Sequence, residues 1–483
     1  MTFKLQYITG AILPLIVVCM VVTARAEKRV IETNPTTRPG SAPIALTISL
    51  DDAVKIALKN SKSLLVAAEA VEKSRGKINE SKAAYNPSLS GTGTYTHLDS
   101  GSTVEFQLGN DSKKTVIPLV KQDQKSIGLS ASMPFDIVGL IHTSVELSQF
   151  QEIAARLDYN RSRNQVVVDT KNAFYDVLRA RAFVTVSEQT IQNARERLKT
   201  AQSYLDAGTG TRFDVLRAET DVANAQQSLI TAKNRVNLTT AMLNNVLNID
   251  QNTPLQITES TEPDGAEQGF NEAITEAYGK RPELLQTDVY ISAAKKGVRL
   301  AKRSALPSMG LNWNFSFTPD TGGFSPKATS WAAVAQINVP IFDQGLSRAR
   351  VQQALSDVNT AELGKLQVQD AIALEVRQAY LALTEAKDRL NVTTTALTQA
   401  QEQYRLARVR FENGVTQTTG NSPLLEISDA QTALTQAENN QVNARYDVQN
   451  YRARLDKALG RYAYDAASLP GMTSPNAIAG GKK

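Results

Sequence analysis

Few side chains in this sequence could carry out catalysis or hold a metal ion. The 483 residues include two histidines, His97 and His142, and one cysteine, Cys19. A metal site needs several His, Cys or carboxylate ligands at suitable spacing, and a nucleophile needs a base within hydrogen-bond reach. Neither histidine has such neighbours in sequence, and Gly91-Thr92-Gly93 lies in a strand pattern rather than in a phosphate-binding loop. We therefore expect no enzyme activity, no cofactor and no metal site.

The charge balance excludes a nucleic-acid-binding protein. Lysine and arginine number 53 against 48 acidic residues, and both signs are mixed along the chain. Such a mixture leaves no basic surface for a phosphate backbone. Aromatic residues make up only 6 % of a chain that is 42 % hydrophobic, which favours helices packed through small side chains over one large aromatic core.

The N-terminal residues have the pattern of an export signal. Lys4 precedes an apolar stretch over 8–22, and Ala24-Arg25-Ala26 is a small-x-small cleavage site, so we expect a cleaved signal peptide. Lipidation of Cys19 is the alternative, although Val18 stands where a small residue would be expected. No later segment has ~18 consecutive apolar residues, so the sequence predicts no transmembrane helix.

The chain contains an internal tandem duplication. Proline, glycine and leucine residues recur at matching positions, in the same order, over most of the sequence, which chance rarely produces. The matched positions are Pro87 with Pro307, Pro134 with Pro340, Gly208 with Gly414, and Leu247 with Leu459. Each half therefore forms the same structural unit.

Each half contains one very long helical stretch. Residues 140–207 have no Gly or Pro, and residues 346–413 have only Gly364. Apolar residues recur at helical spacing, and at ~1.5 Å per residue each helix would be about 100 Å long. Such rods must pack along one another, each returning through a second helix, about 214–248 and 423–460. A spacer or tethering coiled coil is the alternative that the helices alone leave open.

Between the helices lie segments with a period of two. In residues 308–317, Met, Leu, Trp and Phe alternate with Ser, Gly and Asn. The other segments with this alternation are 126–133, 331–339 and, least regularly, 88–96. About ten alternating residues is the length of a transmembrane β-strand, and Trp313, Trp331 and Tyr95 would be its interfacial aromatics. Half-buried strands of a soluble sandwich are the alternative; export favours a membrane barrel.

The strands pair as two hairpins, joined by polar loops at Asp99–Asp123 and Thr318–Thr329. Four strands cannot close a membrane barrel, because the smallest outer-membrane barrels use eight. Open strand edges in lipid would leave backbone groups unsatisfied. We therefore expect several copies of the chain to share one barrel.

Together, the duplicated halves, the proline-flanked strands and the export signal resemble the TolC family of outer-membrane efflux proteins over about residues 50–460. The resemblance implies a mixed α+β membrane protein: a homotrimer whose twelve-stranded outer-membrane β-barrel continues into a periplasmic α-helical barrel. It implies a passive exit duct for a tripartite efflux or type I secretion system, driven by an inner-membrane transporter through a periplasmic adaptor. Short helices at about 51–60 and 271–280 would form a belt around the tunnel. A periplasmic spacer or adaptor without a channel is the alternative.

The resemblance also implies where the adaptor binds. The turns at Gly208 and Gly414, with Val415, would form the periplasmic tip that contacts the adaptor.

A gate of two carboxylates three residues apart is implied on the helix after the second turn. Glu426 and Asp429 match this motif, and residues three apart share a helix face. In a trimer, these residues would form two rings of carboxylates around the axis, which bind cations at a constriction. Asp214 occupies the matching repeat position and is a weaker candidate. The sequence departs from the family motif in two ways: the first carboxylate is Glu, and the turn has extra residues at 416–421. A purely local role is equally open, in which acidic residues interact favourably with the N-terminus of the helix that follows Ser422-Pro423.

These features predict the following organisation: signal peptide 1–26; tether 27–47; first repeat 48–248, with hairpin 88–133, long helix 140–207 and return helix 214–248; linker 249–269; second repeat 270–460, with hairpin 308–339, long helix 346–413 and return helix 423–460; tail 461–483.

Overall fold

The computed structural model describes residues 46–106, 115–258, 269–319, 327–413 and 423–462. The predicted signal peptide, most of the tether and nearly all of the tail lie outside these residues. The first repeat consists of β1 (Leu46–Ile48), α1 (Leu50–Asn60), α2 (Lys62–Ala83), β2 (Ser88–His97), β3 (Ser102–Phe106), β4 (Thr115–Val120), β5 (Asp123–Phe135), α3 (Leu140–Asp206) and α4 (Arg212–Leu247). The second consists of β6 (Leu255–Ile257), α5 (Phe270–Lys280), α6 (Pro282–Arg303), β7 (Ser308–Phe317), β8 (Thr329–Asn338), α7 (Leu346–Glu412) and α8 (Pro423–Ala458).

The two long helices begin with the same local device. Gly139 and Gly345 precede α3 and α7 with φ of 75° and 88°, a left-handed conformation that glycine adopts without strain. The carboxylate of Asp136 accepts hydrogen bonds from the amides of Ile141 (3.1 Å) and His142 (2.9 Å). At the start of α7, the carboxylate of Asp343 accepts hydrogen bonds from the amides of Gly345 (3.1 Å) and Ser347 (2.8 Å). An acidic cap and a glycine therefore turn each strand sharply into its 67-residue helix.

Four strands form one antiparallel sheet in the order β2-β5-β7-β8. Leu129 lies opposite Phe315, and Phe315 lies opposite Trp331, so the apolar positions of neighbouring strands share one face. Ser130, opposite Asn314, belongs to the polar face. The alternation predicted from the sequence is confirmed, and β2 and β8 are the edges of this sheet.

The prediction of a polar loop over Asp99–Asp123 was wrong in part. Within it, β3 and β4 pair as an antiparallel ribbon, with Val104 opposite Ile117. The run from Thr115 to Val120 is rich in β-branched residues, which favour extended pairing. Pro118 within this run is compatible with a strand, because proline is tolerated in a strand at a free edge.

The helices form a wall in which α3 is enclosed and α7 lies at an edge. In the half next to the sheet the order is α2-α3-α6-α7, and in the other half it is α4-α3-α8-α7. α3 buries residues such as Phe174 and Val177 completely. Apolar side chains of α7 remain half exposed, namely Leu355, Leu366, Leu374 and Leu381.

The core repeats itself, as a duplication requires. The cluster between α3 and α4 includes Ala201, Val215 and Ala218. The cluster between α7 and α8 includes Ala407, Ile427 and Ala430. These residues are repeat mates. Ala201 and Ala407 follow the same spacing as Gly208 and Gly414, and the other two pairs follow the spacing of Leu247 and Leu459. The predicted α+β architecture with a tandem duplication is therefore confirmed down to individual packing contacts.

Candidate functional site

The turn between α3 and α4 is tightly built. Gly208 has φ of 75°, and a Cβ on Gly210 would lie 2.9 Å from the Cβ of Tyr204. The amides of Thr209 and Gly210 both donate to the carbonyl of Tyr204, at 3.0 and 2.9 Å. This predicted contact tip thus depends on its two glycines. Gly414 and Val415, predicted for the second tip, lie outside the described residues.

Asp214 serves as part of a helix cap. Its carboxylate accepts hydrogen bonds from the amide (3.3 Å) and the hydroxyl (2.6 Å) of Thr211, while the Thr211 hydroxyl caps the amide of Asp214. This capping box satisfies amides that α4 would otherwise leave unpaired. The arrangement accounts for an acidic residue here without a further role.

Glu426 and Asp429 have different surroundings. Glu426, in the first turn of α8, forms an ion pair with the guanidinium of Arg410 in the last turn of α7, and its side chain is 30 % exposed. Asp429, one turn further, is exposed, and no partner for its carboxylate lies among the described residues. The pair predicted from the sequence therefore presents one neutralised and one free carboxylate.

A third carboxylate contacts Ser428, the residue that precedes Asp429. The hydroxyl of Ser428 donates a hydrogen bond to Asp221 of α4 at 3.2 Å. Asp221 therefore approaches the residue that precedes Asp429. Neither Asp221 nor Arg410 was predicted from the sequence. The repeat mate of Asp221 is Ala433, so the duplication does not indicate a carboxylate at this position.

The tips of the two helix pairs are tied together by polar side chains. The hydroxyl of Tyr204 lies 2.8 Å from the carbonyl oxygen of Phe411, and their rings meet edge to face with centroids 5.8 Å apart. Asn193 and Arg197 of α3 both donate to the side-chain oxygen of Gln431, at 2.9 and 3.3 Å. α3 is thus linked to the ends of both α7 and α8.

A groove of about 380 Å³ runs between α3 and α7 beside these ties, with Ile427 on its floor. Both signs of charge line it, including Glu196, Arg197, Arg408 and Glu412. Such a lining suits a polar protein surface better than a small apolar ligand.

A second polar cluster joins α5 to the end of α8. The guanidinium of Arg461 forms two hydrogen bonds of 3.1 Å to the carboxylate of Glu276, and Lys280 donates a third at 2.9 Å. Nearby, buried Arg281 pairs with Glu283 (3.0 Å) and Glu375 (2.7 Å). The hydrogen bonds from Arg461, and then those from Lys280, lower the pKa of Glu276 to about 2.

Acid should therefore weaken this cluster. Because the folded pKa of Glu276 lies below its ordinary value of 4.5, its stabilisation is complete above pH 4.5 and is lost as the pH falls towards 2. We expect Glu276→Gln to cost about 1–2 kcal/mol at pH 7, allowing for solvent screening, and to flatten the pH dependence of unfolding below 4.5. Thermal unfolding of the detergent-solubilised protein between pH 3 and 7 measures both.

The control is Glu402→Gln, which breaks an ion pair with Arg405 on an exposed helix surface. It should leave the melting curve unchanged. An equal pH response in both variants would contradict the role given to Glu276.

The three predicted interfacial aromatics lie on the apolar face of the sheet. Trp331 is 71 % exposed on edge strand β8, and Trp313 stacks on Phe315 with centroids 6.3 Å apart. Tyr95, on edge strand β2, is also exposed, and its hydroxyl donates to Asp123 at 2.7 Å. Within the described residues, no helix is both long enough and apolar enough to span a bilayer.

Comparisons with known proteins agree with this architecture. The model of the family described as "Outer membrane efflux protein" matches residues 53–248 and 273–461, one segment in each repeat. The chain is 25 % identical over 415 residues to the outer membrane efflux protein BepC of Brucella suis, covering 85 % of this chain and 86 % of BepC. It is 24 % identical over 426 residues to the probable efflux pump outer membrane protein TtgC of Pseudomonas putida, covering 86 % of this chain and 84 % of TtgC.

Solved structures show the same fold. The CmeC outer membrane channel of Campylobacter jejuni superposes with a TM-score of 0.65 at 18 % identity, over 85 % of both chains. A membrane protein from Pseudomonas aeruginosa superposes with a TM-score of 0.68 at 20 % identity, covering 89 % of this chain and 100 % of that one.

Proposed function

The chain belongs to the outer membrane efflux protein family, and on that basis we propose that three copies form the exit duct of a tripartite efflux or type I secretion system. The protein is an outer-membrane channel subunit with a large periplasmic portion. The observation that carries the proposal is the continuity of one sheet with two helices of 67 residues. One face of the sheet is apolar, like the lipid-facing side of transmembrane strands. Each helix is about 100 Å long, which is enough to extend a pore well beyond the bilayer.

Homotrimerisation is supported by the free edges of each subunit. Strands β2 and β8 have no partner on their outer sides among the described strands. In lipid, every backbone amide and carbonyl must be paired within protein, so the sheet must close. Three sheets of four strands would close as a twelve-stranded barrel, with Trp313, Trp331 and Tyr95 at the lipid interface.

The partners follow from the passive nature of such a duct. An inner-membrane transporter would supply the energy, and a periplasmic adaptor would connect it to the helix tips. The rigid Gly208 turn and its repeat mate, Gly414 with Val415, are the proposed adaptor contacts. The groove over Ile427, with charges of both signs, is a further surface at this end.

The proposed gate is a ring of carboxylates near the same tips. Asp429 is exposed and would present three negative charges in a trimer. Glu426 would contribute less, because Arg410 offsets its charge. Asp214 is the weakest candidate, since its carboxylate already caps α4.

Conductance in planar bilayers tests the function directly. We expect the mature protein to require detergent for extraction, to migrate as a trimer and to produce discrete conductance steps in a bilayer. Protein unfolded by heat and added at the same concentration is the control. A protein that is soluble without detergent and never conducts would instead be a periplasmic spacer or adaptor.

A further inference from the structure

A group of basic side chains lies just below the sheet, where the strands are followed by helices. On α6, Lys295, Arg299 and Lys302 are four and three residues apart, so they share one face of the helix, and all three are exposed. Lys82, the repeat mate of Lys302, is exposed in the last turn of α2, and Arg348 is exposed in the first turn of α7. We call Lys82, Arg299, Lys302 and Arg348 the basic collar.

The acidic side chains near the basic collar are engaged elsewhere, with the exception of Asp357. Asp136 and Asp343 accept hydrogen bonds from the amides at the starts of α3 and α7. Three other carboxylates form ion pairs of their own: Glu80 with Lys77 (3.7 Å), Glu146 with Lys296 (2.6 Å) and Glu362 with Lys295 (3.5 Å). Within the described ranges, no acidic side chain pairs with a residue of the collar. Its four charges are therefore available to an outside partner.

Backbone hydrogen bonds show which side of the helices lies below the apolar face of the sheet. The amide of Leu98, just beyond β2, donates to the carbonyl of Gln122 at 2.8 Å. Antiparallel pairs alternate between bonded and non-bonded, so every second residue of β2 bonds to β5, and these are the polar-face positions such as Ser90. The apolar-face positions point their backbone groups away from β5. Because the residues are all of L-chirality, β5 then lies to the left of β2 when the apolar face is viewed with the helices below.

The helices follow the same order, so α3 lies to the right of α6 and α7 lies to its left. Lys296 and Arg303 mark the right side of α6, since they contact α3. α6 is right-handed and runs upward in this view, and successive residues turn by about 100°. The stripe of Lys295, Arg299 and Lys302 therefore faces the viewer, on the same side as the apolar face of the sheet.

Arg348 lies on this outer side as well. It precedes Glu362, which pairs with α6, by 14 positions, or about four helical turns along the same face of α7. Asp357, nine positions after Arg348, lies on the opposite face of α7 and points away from the collar. Lys82 matches Lys302 in the other repeat, so the collar extends across both halves of each subunit.

Apolar side chains connect the sheet to the collar. Val339 and Ile341 continue the alternation of β8 towards α7, and they are 54 % and 96 % exposed. Phe342 beside them is 84 % exposed. The outer surface therefore changes from apolar to basic between Val339 and Arg348. An apolar band bordered by lysine and arginine is typical of a surface at the edge of an anionic bilayer.

We propose that the basic collar binds the anionic phosphate groups of phospholipid headgroups in the periplasmic leaflet. Long basic side chains can keep their stems on apolar surface while their charged ends reach the headgroups. Each one near an anionic membrane strengthens binding by about fivefold. With four such residues per chain, a trimer would carry twelve around its circumference. This inference rests on the proposed oligomeric channel and adds a lipid partner at the base of its barrel.

Electron paramagnetic resonance of spin-labelled lipids tests the proposal. The mature protein is reconstituted in phosphatidylcholine vesicles with a trace of either spin-labelled phosphatidylglycerol or spin-labelled phosphatidylcholine, and the fraction of label immobilised at the protein is measured. We expect the wild type to prefer phosphatidylglycerol by about fivefold, the effect of one basic side chain at an anionic surface. In about 1 M NaCl the preference should disappear, because charges are then screened over about 3 Å.

Two variants with the same net charge make the result decisive. The collar variant should immobilise both lipids equally, and it carries Lys82→Gln, Arg299→Gln, Lys302→Gln and Arg348→Gln. The control variant removes four exposed basic side chains farther from the sheet and should keep the wild-type preference; it carries Lys59→Gln, Arg195→Gln, Arg212→Gln and Arg235→Gln. Conductance steps of each variant in a planar bilayer show that the channel has assembled.

An unchanged preference in the collar variant, or an equal loss in both variants, would overturn the proposal. A conducting wild type without any preference would also overturn it and would leave an acidic protein surface as the occupant of the collar. In each of these cases the channel function stands. A soluble, non-conducting protein would refute the proposed function as well.

Discussion

Asp429→Asn is expected to weaken block of the channel by divalent cations by about tenfold. Each exposed carboxylate at a constriction attracts a bound cation by roughly 1–2 kcal/mol at surface dielectric values, and 1.4 kcal/mol corresponds to a factor of ten. The side chain stays the same size, and α8 loses no buried contact. Single-channel current in planar bilayers, titrated with Mg²⁺, measures the change.

A substitution of Arg410 is a matched test, in which block by divalent cations should change in the opposite direction. Arg410→Gln removes the partner of Glu426 and should strengthen block by divalent cations, because Glu426 then adds a second free ring. Glu426→Gln alone should change block less than Asp429→Asn does. If Asp429→Asn leaves both block and cation selectivity unaltered, the gate lies elsewhere, although the channel function can still stand.

Phe174→Ala should lower the free energy of unfolding by about 3–5 kcal/mol, the range for a buried phenylalanine replaced by alanine. Phe174 has no exposed surface and packs in the largest cluster, with Leu243, Leu247 and Ala53. This cluster joins the short helix α1 to α3 and α4. Removal of the ring leaves a cavity that rigid long helices cannot close. Denaturant unfolding in detergent, followed by far-UV circular dichroism, measures the loss.

Phe213→Ala is the matched control. The same truncation removes a ring that is 70 % exposed at the start of α4, so the expected loss is below about 1 kcal/mol. Equal losses at the two positions would mean that Phe174 is not a core residue.

Much of the fold could be predicted because its signals are local. Long helices follow from stretches without glycine or proline, and strand faces follow from alternation over ten residues. The exception was Asp99–Asp123, which was predicted to be a polar loop. There, β3 and β4 form only by pairing with each other. A pattern with a period of two that extends over only five or six residues is a weak indication of a strand.

The candidate site was predictable only in its location. The i, i+3 spacing of Glu426 and Asp429 requires a shared helix face, but it says nothing about what faces either side chain. The capping box at Thr211 and Asp214 was readable from local sequence, since both partners lie in one helix turn. In contrast, the contact of Ser428 with Asp221 joins residues 207 positions apart.

The sequence by itself determined a duplicated chain in which strands with one apolar face alternate with very long helices. A strand is recognised by a period of two residues and a helix by a period of 3.6 residues, and both periods can be read from consecutive residues. It also predicts more than one copy, because four strands cannot close in lipid. Only the tertiary structure decided which carboxylate of the candidate gate remains free. That outcome depends on whether a cation from another helix reaches the carboxylate: Arg410 reaches Glu426, and no described side chain neutralises Asp429.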